Sequence, residues 1–158
     1  MKISKADCPK MINAAKPVQD GYFMPGEFEP HQGCIMIWPE RPGSWRNEAR
    51  EAEAAFSAVI RAIAESETVY VAAGKKGIDH AKAFVESLKK EENLYPVIVF
   101  EMETDDSWAR DVAPTFLVKR MDEKISDLTA AEKSTVQTGD DVKNSQVCGV
   151  NWSFNAWG

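Results

Sequence analysis

The chain has 158 residues, 44% apolar and 28% charged, which suits one globular domain or a piece of a larger one and excludes disorder along the whole length. Nineteen Lys and Arg against 25 Asp and Glu leave a net charge of −6. That balance argues against nucleic acid and against a polybasic membrane surface, since both need clustered cations. No apolar run approaches the length of a membrane span, and Met1 to Pro17 holds no apolar core of signal-peptide length. Three scattered cysteines (Cys8, Cys34, Cys148) without a CxxC fit a reducing, cytoplasmic setting and give no metal framework; His31 and His80 add too little for one.

Residues 1–20 read as a polar N-terminal arm. The Gly-, Pro- and aromatic-rich stretch 21–33 reads as an ordered loop. Residues 34–38, CIMIW, predict a buried strand stopped by Pro39. The run from Asn47 carries a helical pattern, with Ala52, Phe56, Val59, Ile60 and Ile63 on one face and acids near its start, where the helix dipole favours them. A strand follows at 68–73, then a turn at Gly74 and Gly77. A second helix is predicted over about 78–91, with Ile78, Ala81, Phe84, Val85 and Leu88 toward the core and Asn93 at its end. Strands are predicted at 95–102 and 112–119, joined by the loop TDDSWARD. Residues 121–146 turn polar and read as a loop or weak helix with poor order. From Cys148 the sequence alternates, with Cys148, Val150, Trp152 and Phe154 on one side of a half-buried strand. Alternating strands and helices place the chain in the α/β class. An aromatic strand that stops at Gly158 predicts the amino-terminal portion of a longer protein, with a closing C-terminal strand as the alternative.

Chemistry concentrates in Asp105-Asp106-Ser107-Trp108-Ala109-Arg110-Asp111, between two strands. One reading is an acidic turn, capped by Asp, with Arg110 paired to Asp111 or Asp105 and Trp108 plugging the core. The other is a site for a small guanidinium or ammonium ligand. A guanidinium is planar, always charged and rich in N–H donors, so carboxylates are its fork partners, and an aromatic wall adds cation–π attraction. The stretches 24–31 and 38–46 are pocket-wall or scaffold candidates. Cys34 lies in an apolar strand, where a thiol is inert, and none of the three cysteines reads as a nucleophile.

Four segments together, DGYFMPGEFEPHQGCIMIWPERPGSWR at 20–46, the helix after it, DDSWARDVAPTF at 105–116 and VNWSFNAWG at 150–158, resemble the amino-terminal half of the agmatine deiminases, a family grouped with bacterial-type peptidyl-arginine deiminases. The resemblance implies a pentein fold over 21–158, a five-bladed α/β propeller of ββαβ units present here only in part, with the polar stretch near 121–146 as an insertion. It implies hydrolysis of agmatine to N-carbamoylputrescine plus ammonia, a step toward putrescine, with peptidyl-arginine as the alternative substrate. No metal or organic cofactor is expected, and a homo-oligomer is possible. The WARD stretch resembles the superfamily motif whose last Asp binds the guanidinium. That assigns Asp111 to substrate, Trp108 to the aromatic wall, and Asp105 or Asp106 to a further contact. The family's nucleophilic cysteine and His-x-Asp acid/base motif fall beyond Gly158, so no catalytic residue is expected in this chain. An inactive remnant and a non-catalytic binder of a cationic guanidine are the alternatives.

Overall fold

The structure, a computed structural model, describes residues 16–41, 43–104, 106–120 and 145–152. The chain forms two compact units, His31–Ala113 and a second built from residues up to Pro30 and from Pro114 onward.

In the first unit three short apolar runs become strands: β1 (Cys34–Ile37), β2 (Val69–Ala73) and β3 (Val97–Glu101). They pair in the order β1-β2-β3, all parallel, with Cys34 opposite Val69 and Val69 opposite Val97. Parallel neighbours need a crossover, and the helices α1 (Arg50–Ala64) and α2 (Ile78–Leu88) supply one each. Both helices cover one face of the sheet. Ile60, Ala64 and Ala81 meet Val69, Val71, Ala73 and Trp38 in one buried cluster. Parallel register fixes which side chains face that way, because alternate residues of a strand point to opposite faces.

Several boundaries move from the sequence reading, each for a local reason. β1 ends at Ile37, although the Trp38 N–H still donates to the Ala72 carbonyl at 2.8 Å. α1 begins at Arg50 instead of Asn47, because Asn47, Glu48 and Ala49 take left-handed φ of 51°, 54° and 65°. Val59, expected in the core, is 48% exposed: it sits at the edge of a stripe centred on Ile60 and Ala64. α2 stops at Leu88, and Asn93 serves a left-handed turn (φ 66°) before β3 instead of ending the helix. The TDDSWARD loop contains one helical turn, α3 (Ala109–Val112), so the following strand starts later than expected. Pro114 closes that turn, since the residue before a proline disfavours helix.

In the second unit β4 (Thr115–Arg120) and β5 (Ser145–Val150) run antiparallel, with Thr115 opposite Val150 and Arg120 opposite Ser145. Phe23 adds a bridge on β4, exchanging N–H···O bonds of 2.9 Å with Val118 in both directions. The Trp152 indole donates to the Thr115 hydroxyl at 2.9 Å. Ser145 and Gln146, expected at the end of the polar insertion, are already strand; the rest of that stretch lies outside the described residues, as do Phe154 and the residues around it and most of the predicted arm. The α/β class holds. The five-bladed propeller is not seen: among the described residues there is one three-stranded parallel sheet and one antiparallel pair, and neither closes on itself. Among them, too, no helix is long and apolar enough to cross a membrane.

Candidate functional site

Ligands of open α/β sheets gather beyond the carboxyl ends of the strands. At that end of the first unit lie Trp38–Arg41 after β1, Gly74–Gly77 after β2 and Met102–Asp111 after β3. The Glu40 carboxylate accepts from the Gly74 N–H at 2.5 Å and the Gly77 N–H at 2.7 Å, tying the first two loops together. One oxygen of Glu53 accepts from the Trp38 indole at 3.0 Å and lies 2.9 Å from His80 Nδ1. Glu40, Gly77, Glu53 and His80 border a cleft of about 500 Å³ with Trp45 and Lys76. Neither Trp108 nor Asp111 lines it.

The 104–111 segment divides the two readings made of it. Asp106 serves the turn. Its Oδ1 accepts from the Ser107 N–H at 2.7 Å, its backbone N–H and carbonyl both bond the Thr104 hydroxyl, and its Oδ2 lies 3.9 Å from Arg41 Nη1. Trp108 does not plug the core: it is 64% exposed. It caps α3, accepting from the Asp111 and Val112 N–H groups at 3.0 and 3.2 Å. Trp108 precedes the turn with non-helical φ and ψ of −82° and 80°, and Asp111 lies within it, so the two are joined through the Trp108 carbonyl and the Asp111 N–H. Asp111 is exposed, and among the described residues its carboxylate has no hydrogen bond or ion pair. An exposed carboxylate and an exposed indole three residues apart in sequence are the residue types that take a planar cation. Asp105 lies outside the described residues.

At the opposite end of the sheet, where β1 and β2 begin, the structure gathers three residues that the sequence left apart. The Cys34 thiol donates to Glu67 Oε1 at 3.2 Å, and His31 Nδ1 lies 3.5 Å from Glu67 Oε2. Burial, then the hydrogen bond and charge of Glu67, push the Cys34 thiol up to about 11. It is therefore protonated at neutral pH and unsuited to nucleophilic attack, as its strand position suggested. Glu67 stands 33 residues beyond Cys34, with no spacing signal; only the parallel pairing of β1 and β2 brings them together. Glu40 was legible as a loop acid but not as a clamp, because its partners are backbone groups.

The sequence profile of the Porphyromonas-type peptidyl-arginine deiminases matches residues 23–158, and the chain belongs to that family. Its curated relatives include the agmatine deiminases of Stutzerimonas stutzeri (strain A1501) and Pseudomonas aeruginosa (strain LESB58). Each is 39% identical over 142 residues, which is 90% of this chain and 30% of theirs. The chain thus spans about 30% of the length of the curated relatives it matches. Among solved structures, an X-ray structure assigned to an agmatine deiminase aligns at TM-score 0.71 and 35% identity, over 95% of this chain and 34% of that one. The agmatine deiminase of Enterococcus faecalis aligns at TM-score 0.60 and 35% identity, over 69% of this chain and 28% of its own.

Proposed function

We propose that this chain supplies the guanidinium-holding part of an agmatine deiminase, which hydrolyses agmatine to N-carbamoylputrescine and ammonia. The observation that carries the reading is the 39% identity to agmatine deiminases over 142 residues. The family match also takes in the Trp108–Asp111 turn. Agmatine is preferred to peptidyl-arginine because those relatives are named for it. With the reading goes a five-bladed pentein propeller of ββαβ units, supported by the likeness to two deiminase structures.

A guanidinium carbon is a poor electrophile, so catalysis begins with holding it. In this reading the Asp111 carboxylate accepts N–H bonds from the guanidinium and fixes its plane, while Trp108 stacks on its face. Asp105 or Asp106 gives a further contact to substrate in this reading, the Asp106 carboxylate already accepting from the Ser107 N–H. A cysteine thiolate attacks the carbon, a histidine delivers a proton to the departing ammonia, and water then cleaves the thiouronium to the ureido product. Both groups lie outside residues 1–158 in this reading, and the protonated Cys34 is not the nucleophile.

The test is turnover of agmatine by the full gene product, with N-carbamoylputrescine and ammonia measured beside a peptidyl-arginine substrate. Asp111→Asn is expected to lower kcat/KM roughly 100-fold, since it removes the charge from hydrogen bonds that hold the guanidinium in the transition state. Near-normal kcat/KM in that variant sinks the assignment of Asp111. Agmatine binding without turnover, abolished by Asp111→Asn, would instead mark a non-catalytic guanidine binder.

A further inference from the structure

We propose that His31, Cys34 and Glu67 form a binding site for a divalent transition-metal ion, Zn2+ by their donor set. One ligand atom from each lies within 4.8 Å of the others. Tetrahedral coordination at ordinary Zn–S, Zn–N and Zn–O lengths puts its ligand atoms about 3.4–3.6 Å apart. Cys34 Sγ is 3.2 Å from Glu67 Oε1, and His31 Nδ1 is 3.5 Å from Glu67 Oε2. These two separations, to different oxygens of Glu67, already lie near that range, and the Cys34–His31 separation, within 4.8 Å, closes toward it when an ion is seated.

A second observation points the same way. Glu67 Oε2 is buried and accepts no hydrogen bond among the described residues, although His31 Nδ1 faces it. The facing imidazole forms an ion pair with that oxygen when protonated, and a metal ion in the triangle would take the same place beside it. The backbone holds the ligands in place. His31 and Cys34 are two residues apart in between, a short chelating spacing. Between them, a Cβ on Gly33 would come within 2.5 Å of the Thr68 carbonyl and 3.0 Å of the Tyr70 ring. Only glycine lets the His31–Cys34 segment pack this closely on the start of β2. The Cys34 N–H to Thr68 carbonyl bond of 2.9 Å then sets Cys34 beside Glu67.

On binding, the Cys34 S–H gives up its proton to solvent and the thiolate takes the metal. Thiolate and carboxylate neutralise the dication, and neutral imidazole Nδ1 completes three protein ligands. The His31 side chain is 45% exposed, which leaves water as the fourth ligand. A thiolate selects Zn2+ over the hard cations Mg2+ and Ca2+.

The test uses the tag-free full chain, stripped with chelator and titrated with Co2+, a spectroscopic stand-in for Zn2+. Expected are thiolate-to-Co2+ charge-transfer bands that saturate at one equivalent, are bleached by Zn2+, and do not respond to Mg2+. Cys34→Ser should abolish them, and Cys8→Ser and Cys148→Ser should keep them. His31→Gln changes a half-exposed side chain and should keep native circular dichroism, yet weaken Co2+ binding roughly tenfold or more. Absence of the bands in the unmodified chain overturns the proposal. So do bands that survive Cys34→Ser, or full affinity in His31→Gln. The outcome does not depend on whether the protein turns over agmatine.

Discussion

Glu40 links three elements through one carboxylate. Its oxygens accept from Gly74, after β2, and from Gly77, which precedes the first residue of α2. α2 has no side-chain cap of its own, so Glu40 places negative charge at its positive end from another loop. The approach requires glycine on the other side: a Cβ on Gly77 would lie 2.7 Å from the Trp38 ring and 2.9 Å from Glu40 Oε2. Hydrogen bonds to a charged acceptor contribute more than neutral ones, and removing Glu40 leaves two backbone donors without their acceptor. Glu40→Ala is expected to cost about 2 kcal/mol or more in urea unfolding, with Glu40→Gln less damaging because it keeps one acceptor. A cost under about 0.5 kcal/mol for Glu40→Ala would show that water replaces the clamp without loss.

At the scale of the element, α1 tests how far a hydrophobic stripe can be read from sequence. Ile60 is fully buried, while its neighbour Val59 is half-exposed. Ile60→Ala is expected to cost about 2–5 kcal/mol, as a cavity opens against Val69 and Val71. Val59→Ala should change stability by no more than about 0.5 kcal/mol, since the small loss of burial is offset by alanine's better helix propensity. Chemical denaturation of both variants checks the contrast, and equal costs would mean that the stripe is centred elsewhere. The elements themselves were legible, because three apolar runs and two periodic helices give a parallel α/β sheet almost unaided. Their ends were less so. The left-handed turn at Asn47–Ala49 contains no glycine to signal it, and α3 is a single turn that period-counting cannot see. Asp111 and Trp108 were legible as candidates, because aromatic and acid adjoin in sequence; the kinetics of Asp111→Asn test whether they are the site. The role of Asp106 as a turn cap was named among the alternatives, but its contact with Arg41 spans 65 positions and needed coordinates. The His31–Cys34–Glu67 group was invisible for the same reason.

At the scale of the molecule, the parallel sheet has two unlike faces. Sheets of this kind are normally covered on both sides, and the continuous apolar runs of β1 to β3 predict that pattern. Here one face carries α1 and α2. On the other, Ile35, Tyr70, Ile98 and Phe100 keep 37–43% of their surface exposed, while Ile37 and Ala72, toward the carboxyl end of the same face, are buried. Tyr70 and Val71 are adjacent on the central strand and point to opposite faces, so they compare the two environments directly. Val71 is 1% exposed within the helix-covered core. A lysine there would bury an unpaired ammonium, and Val71→Lys is expected to abolish cooperative unfolding in this chain. Tyr70→Lys keeps its charge in water and buries only its stem, so it should cost no more than about 1 kcal/mol. Thermal and urea unfolding of the two variants decide the matter. If Tyr70→Lys proves as damaging as Val71→Lys, the second face is covered in solution and its apolar row belongs to a core. If it is tolerated, the face is open to water at Tyr70, and the apolar character of that position is not needed for folding.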